Sequence, residues 1–284
     1  KPSCLNLALI SAAIAGGSST TAVARQQLSK LSESGKPLNV VFILSDDHRY
    51  DYMGFVGKVP WLETPAMDRM AREGAWIRNA FVTTSLSSPS RASILTGMYS
   101  HSHKVVDNSA PMPAGLTFFP EYLQQVGYQT GFFGKWHMGN DTGDPQPGFN
   151  HWESFSGQGE YYNPRLNVNG KWIRYADSTY VTDLLTTHAI EFMKQQQTSH
   201  KPFMVYLSHK GVHDNFSPAK RHKGCYSGKP LVIPPSFDTS KEKIKALPTI
   251  DPSTGKAAAG KEYYGENMLP DWVKNQRESW HGVD

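Results

Sequence analysis

Apolar and polar positions along the chain alternate between short apolar runs and longer amphipathic stretches. Val40-Val41-Phe42-Ile43-Leu44 is continuous and branched, which predicts a strand buried on both faces of a parallel sheet. Tyr128 to Phe133 predicts a second strand, and Phe203-Met204-Val205-Tyr206-Leu207 a third. Ala75 to Val82 offers one more, after Gly74. Between these runs, Thr64-Pro65 opens a helix with Met67, Met70 and Ala71 on its core face. Thr117 to Val126 predicts a second helix, ended by Gly127. Ser178 caps a third from Thr179 to Gln197, with Val181, Leu184, Leu185, His188, Ala189 and Phe192 along one face. His188 there reads as a satisfied core or boundary histidine. Strands alternating with helices predict an α/β fold, a mostly parallel central sheet flanked by helices.

Two stretches lack either period. Gly143 to Ala176 sets Trp152, Tyr161, Tyr162, Trp172 and Tyr175 among Gly, Asn and Gln. Such aromatics suit stacking on a sugar face, and equally suit plugging the edge of a core. Asn215 to Asp284 is rich in Pro, Lys, Gly and Ser and predicts no buried element.

Bulk properties narrow the picture only a little. A chain of 284 residues can bury a full core in one or two domains. A net charge of +4 without any Lys/Arg run argues against nucleic acid and mildly favours anionic substrates. Leu5 to Ile14 is apolar but too short to span a bilayer, and Ala22-Val23-Ala24 fits a cleavage site. This predicts a signal peptide over residues 1–24, a linker over 25–37, no transmembrane segment, and a periplasmic or secreted protein. Cys4 leaves with the peptide, so Cys225 remains alone and no intrachain disulfide is expected.

The candidate chemistry collects where apolar runs end. Ser45-Asp46-Asp47 follows the first strand, where open α/β sheets keep their ligands. Adjacent carboxylates repel, and a hard divalent cation would remove that cost; by spacing alone a turn cap is as good an account. Lys135 and His137 follow the second strand two residues apart, able to neutralise an anion and to pass a proton. His209 and His213 follow the third, where isolated histidines are commonly structural. The fourth element is Ser87-Ser88-Pro89-Ser90-Arg91-Ala92-Ser93-Ile94-Leu95-Thr96-Gly97. It predicts a helix with Ser88 at the N-cap, Pro89 at the first position and Gly97 beyond the end. The positive end of that helix favours an anion, with the Ser87 hydroxyl in front of it and Arg91 one turn in. A nucleophile facing a phosphate or sulfate ester is the chemistry this suggests.

That run resembles the signature of the sulfatase family: Cys or Ser, any residue, Pro-Ser-Arg, then Leu-Thr-Gly. Gly134-Lys135-Trp136-His137 resembles the family's second signature. The resemblance runs from Leu38 to Asn215 and implies a fold like that of alkaline phosphatase. It also implies that Ser87 is oxidised to formylglycine, and that Ca2+ is held by Asp46, Asp47 and the residue at position 87. In the implied cycle the hydrated aldehyde attacks sulfur, a His protonates the departing alcohol, and the second hydroxyl expels sulfate. Arg91, Lys135 and His137 carry over as active-site residues, His213 as a substrate contact, and His209 as a second candidate for that contact. Asp214-Asn215-Phe216 stands where His-x-Pro-Phe is common, a departure at that point. A serine at position 87 implies a radical-type maturase acting before export. Gly157-Gln158-Gly159-Glu160-Tyr161-Tyr162-Asn163-Pro164 resembles bacterial carbohydrate sulfatases acting on mucin or heparan-type glucosamine, so a sulfated carbohydrate is the implied substrate. The family's later Asp-Asn calcium pair and further Lys do not appear before Asp284. The chain therefore reads as an N-terminal fragment, with the catalytic domain over 38–284 lacking its C-terminal part. Two alternatives stay open: a phosphoesterase or phosphonate hydrolase of the same superfamily using unmodified Ser87, and an inactive relative that binds sulfated glycans.

Overall fold

The computed structural model describes residues 37–139 and 142–232. The expected signal peptide, nearly all of the expected linker, and the chain beyond residue 232 lie outside the described residues.

Six strands form one sheet in the order β1 (Val40–Leu44), β6 (Phe203–Ser208), β2 (Gln129–Lys135), β3 (His151–Phe155), β4 (Arg165–Val168) and β5 (Lys171–Arg174). The first four strands in that order are mutually parallel, and β4 and β5 close the far side as an antiparallel hairpin. The mostly parallel α/β sheet read from the sequence is therefore present. β6 and β2 lie inside it and are buried along nearly their whole length, because alternate side chains enter two different cores. On one face Phe132, Trp152, Met204 and Tyr206 pack with Ala92 and Leu95 of α2 (Ser87–Thr96) and with Phe118. On the other, Phe133, Phe155, Val205 and Leu207 meet Leu185, Ala189 and Phe192 of α5 (Val181–Thr198). Each such large side chain gains about 1.5–3 kcal/mol on leaving water.

Several expectations shift. Among the described residues β1 is an edge strand with alternate positions open, Val41 and Ile43 being exposed, so they do not bury it on both faces. Residues 75–82 form no strand. Arg78-Asn79 makes a turn in the middle of the run, and Trp76, Ile77, Phe81 and Val82 are exposed. In α1 (Pro65–Glu73) Met70 is exposed as well, while Met67 is half-buried. The stretch read as lacking strand period holds β3, β4 and β5, short strands of which β3 pairs with β2 and the other two form a local hairpin. Trp152 and Tyr161 are consequently buried rather than offered to a sugar. Helix starts move by one or two residues. The third predicted helix, α5, begins at Val181 after Tyr180, with Ser178 in a left-handed conformation outside it. The second, α4 (Phe119–Gln125), starts where the Phe118 N–H donates to Glu121 Oε1 at 2.7 Å. Its predecessor α3 (Ser100–His103) is a single turn.

One backbone detail positions the site. Gly134 in β2 has φ +115°, and a Cβ there would lie 1.8 Å from the Ser208 carbonyl oxygen. Only glycine permits this approach of β2 to β6, directly beside Lys135 and Ser208.

Candidate active site

The carboxyl ends of β1, β6 and β2 are adjacent in the sheet, so three runs far apart in sequence deliver their terminal residues to one edge. Beyond Leu44 and Ser208 the two chains continue to pair. The Asp46 N–H donates to the Gly211 carbonyl at 3.0 Å, and the Val212 N–H donates to the Asp46 carbonyl at 2.9 Å. This brings the Asp46-Asp47 turn against the loop that carries His213.

Helix α2 closes over that edge. It starts two residues earlier than predicted, with Leu86 as the extended N-cap and Ser87 as the first helical residue, and it ends at Gly97 as expected. Ser87 and Arg91 therefore lie one turn apart on one face. The Ser88 N–H is taken by Asn108 Oδ1 at 3.0 Å and Pro89 has no N–H, so the helix offers its dipole and little more at this end. Its buried face is tied down by polar contacts: the Ser88 hydroxyl donates to the His137 carbonyl at 2.5 Å.

Arg91 is the hub. It is 3% exposed, and its Nη1 donates to the Lys135 carbonyl and to Ser208 Oγ, both at 2.7 Å, while Nη2 reaches Asp46 Oδ1 at 3.2 Å. Lys135, fully buried, donates from Nζ to Asp46 Oδ2 and to Gln158 Oε1, both at 2.5 Å. One carboxylate thus faces two permanent cations. Burial alone would push the Asp46 carboxyl up, but Arg91 and Lys135 outweigh it and hold it below its ordinary 3.8. Burial pulls the Lys135 ammonium below 10.5, and Asp46 offsets this only in part because Arg91 repels it. In the buried part of the cluster two cations face one carboxylate, the second carboxylate, Asp47, being largely exposed beside it, and such a pair of buried cations suits an anion.

The histidines sit at different depths. His137 is buried with its pKa pulled to about 4 by burial and by the Lys135 and Arg91 charges, so it is neutral at ordinary pH. Its Nε2 lies 3.3 Å from Gln158 Nε2. His213 Nε2 is 3.6 Å from Asp47 Oδ2, and its Nδ1 bonds the Asp214 carbonyl at 2.9 Å. The Asp47 side chain is largely exposed. His209 is drawn to about 4 by burial, its Nδ1 has no hydrogen-bond partner, and no hydrogen bond or ion pair joins it to the cluster. Ser87 is half-buried at the helix start.

Asp46 and Asp47 supply two carboxylates suited to a hard cation, but both Asp46 oxygens already meet cations. Among the described residues no group of three His, Cys, Asp or Glu side chains is placed to hold a metal ion. The two aspartates fit part of a calcium shell and do not complete it.

Sequence reasoning missed Ser208, Gln158 and Lys210. Ser208 and Lys210 flank His209 at the end of β6, a position that already marked the site. Lys210 is buried, donates to the Asp214 carbonyl at 2.9 Å and lies 4.8 Å over the Tyr161 ring, whose hydroxyl bonds the His213 carbonyl. The tyrosines read as sugar contacts therefore brace the His213 loop. Gln158 fell in a run singled out for its resemblance to carbohydrate sulfatases, with no role given to the amide.

Known proteins add to this geometry. The chain is 38% identical over 218 residues to an N-acetylglucosamine-6-O-sulfatase of Bacteroides thetaiotaomicron, covering 75% of this chain and 38% of that protein. It is 30% identical to the N-acetylglucosamine-6-sulfatase of Capra hircus, covering 66% of this chain and 36% of the relative. A solved structure described in complex with its substrate D-glucosamine-2-N,6-O-disulfate superposes with a TM-score of 0.64 at 39% identity, over 71% of this chain and 40% of that one. The chain spans well under half the length of these relatives. The family model named Sulfatase matches residues 38–232, the stretch holding both signatures and every strand that converges on Arg91, and the chain belongs to the sulfatase family.

Proposed function

We propose that this chain carries the nucleophile and anion-binding half of an enzyme that hydrolyses sulfate esters on carbohydrate, of the glucosamine 6-sulfate type. The observation that carries the reading is the pair of buried cations on Asp46 at the sheet edge, with Ser87 one turn before Arg91 on the same helix face. The relatives' names supply the sugar.

In this reading Arg91 and Lys135 hold negative charge that a departing sulfate carries, in a site too dry to screen them. Asp46 keeps both cations aligned. His213, at the mouth beside Asp47, is the group placed to exchange a proton with substrate. His137 is held neutral and can accept a proton. His209, half-buried at the end of β6, stays the second candidate for a substrate contact. A calcium ion held by Asp46 and Asp47, with further oxygen ligands from outside the described residues, would supply Lewis-acid stabilisation of charge. Ser87 converted to formylglycine would supply a nucleophilic hydroxyl and a second one that frees the enzyme from sulfate. That conversion requires a radical-type maturase acting before export, consistent with a periplasmic or secreted destination. Among the described residues no helix is long and apolar enough to cross a membrane.

The test is turnover by the protein co-produced with such a maturase. Sulfate release from glucosamine 6-sulfate and an aryl sulfate, with aryl phosphate turned over far more slowly, is the expected result. The opposite preference would assign a phosphoesterase. Binding of the sulfated sugar without release would assign an inactive relative. A mass spectrum of the Ser87 peptide from active protein is expected to show the aldehyde, and serine alone would overturn the modification.

A further inference from the structure

Lys210 is a buried cation outside the group that grips Asp46. Among the described residues no carboxylate lies within ion-pair distance of its ammonium, and Asp214 and Asp46 act on it only from further off. Its partners are a carbonyl and a ring: Nζ donates to the Asp214 carbonyl at 2.9 Å and stands 4.8 Å over the Tyr161 ring. Removing an ammonium from water for so few contacts carries a penalty, and an apolar side chain would fill the space without it. The turn around it shows what is gained. The His213 N–H donates to the Lys210 carbonyl at 3.0 Å, so this lysine closes the turn 210–214 with both its main chain and its side chain. The Asp214 carbonyl that takes Nζ also takes His213 Nδ1 at 2.9 Å, one donor to each lone pair. Asp214 Oδ1 lies 3.0 Å from the same ring nitrogen, and both oxygens only accept, so Nδ1 carries a proton. Tyr161 fixes the neighbouring carbonyl, that of His213, through its hydroxyl. Burial raises this phenol above its ordinary 10 and keeps it a donor, while its main-chain carbonyl takes the Val181 N–H at the start of α5 at 2.8 Å.

We infer that Lys210 is a positioning residue for His213: by holding the Asp214 carbonyl it fixes the acceptor of Nδ1 and so turns Nε2 toward Asp47 and the mouth of the site. Tyr161 is the base on which this lysine rests, and it refers the turn to α5 as well as to the sheet edge. Only the kinetic consequence rests on the sulfatase reading, in which His213 exchanges a proton with substrate; the setting of the ring stands independently of it.

The full chain with isotope-labelled histidine tests this by long-range proton–nitrogen correlation, the His213 ring being assigned from its loss in His213→Asn. The wild type is expected to show one ordered ring protonated at Nδ1. Lys210→Met keeps the apolar stem and removes the donors, so the His213 ring nitrogens are expected to shift and to average between tautomers. Lys210→Arg can still donate to the carbonyl and stand over Tyr161, and is expected to restore the wild-type signals. Where Lys210→Met loses the native spectrum, Lys210→Gln decides, being uncharged and one bond shorter, with the same shift expected. His213 signals unmoved in the folded variant overturn the inference, because a role in stability alone would leave them in place. In turnover, Lys210→Met is expected to lower kcat/KM for glucosamine 6-sulfate, whose sugar alcohol leaves with a proton, roughly tenfold more than for an activated aryl sulfate. An equal fall on both substrates likewise overturns it. Absence of sulfate release by the wild type would sink the sulfatase reading while the ring signals still decide the role of Lys210.

Discussion

Two buried carboxylates in this chain are each gripped from two sides, and they serve opposite ends. Asp46 at the sheet edge meets Arg91 and Lys135. Glu153 in β3 meets His151 Nε2 at 2.8 Å from its own strand and His188 Nδ1 at 2.6 Å from α5. Residues two apart on a strand share a face, so β3 presents His151 and Glu153 together to the helix. The pair clamps α5 to the sheet, and His188 is the satisfied boundary histidine its helix position predicted. The difference is in the partners' chemistry. Arginine and lysine place two cations against the one buried carboxylate, which suits an anion; histidines adjust their protonation to the carboxylate, leaving little for a ligand. Burial of a charge is thus no mark of function by itself. The chemistry of its partners is.

Variants can break this contrast. Arg91→Met removes a cation from Asp46, one of the two donors to the Lys135 carbonyl and the donor to the Ser208 hydroxyl, so a loss of about 3–5 kcal/mol in denaturant unfolding is expected, together with loss of sulfate release. Glu153→Gln is expected to cost about 2 kcal/mol near pH 5.5 while sparing turnover, because the clamp lies away from the anion receptor. A comparable fall in kcat would show that the two regions are coupled.

The clamp's contribution should also depend on pH in a defined window. Burial opposes ionisation of Glu153, but its histidine partners hold the carboxyl below 4.5, so that part is present above about pH 4.5 and lost as pH falls through the depressed value. Glu153 holds His188 above 6.5, so its part is complete below about pH 6.5 and lost as pH rises through the raised value. The stability gap between wild type and Glu153→Gln is therefore expected to peak between those limits and to narrow by pH 9, as read from denaturation series. A gap unchanged up to pH 9 would show that His188 is not charged in the clamp. Smallest in stability is Ser87→Ala. It is expected to move unfolding by less than about 0.5 kcal/mol, since the side chain is half-buried and forms no hydrogen bond among the described residues, while abolishing turnover.

Much of the site was legible in the order of residue types. Asp46, Arg91, Lys135 and His137 each stood at a strand end or a helix start, and the structure brings all four to one edge. The strands of residues 151–174 were not legible, because four- and five-residue strands carry too few periods to show. The run at residues 75–82 misled in the other direction: its composition suits a strand, but a turn at Arg78-Asn79 divides it. Gln158 escaped notice because an amide in a glycine-rich turn has no signal until the two side chains it bridges are in place.

By itself, then, the sequence determined three of the sheet's parallel strands, the helix carrying Ser87 and Arg91, and the class of chemistry they permit, since these rest on periodicity and local signatures. Only the tertiary structure decided which charges meet. That depends on distances between β1, α2 and β2, whose contacting residues are 44 and 45 positions apart in the chain, and on a glycine that lets β2 approach β6. Electrostatic balance is a sum over neighbours in space, and residue order does not contain it.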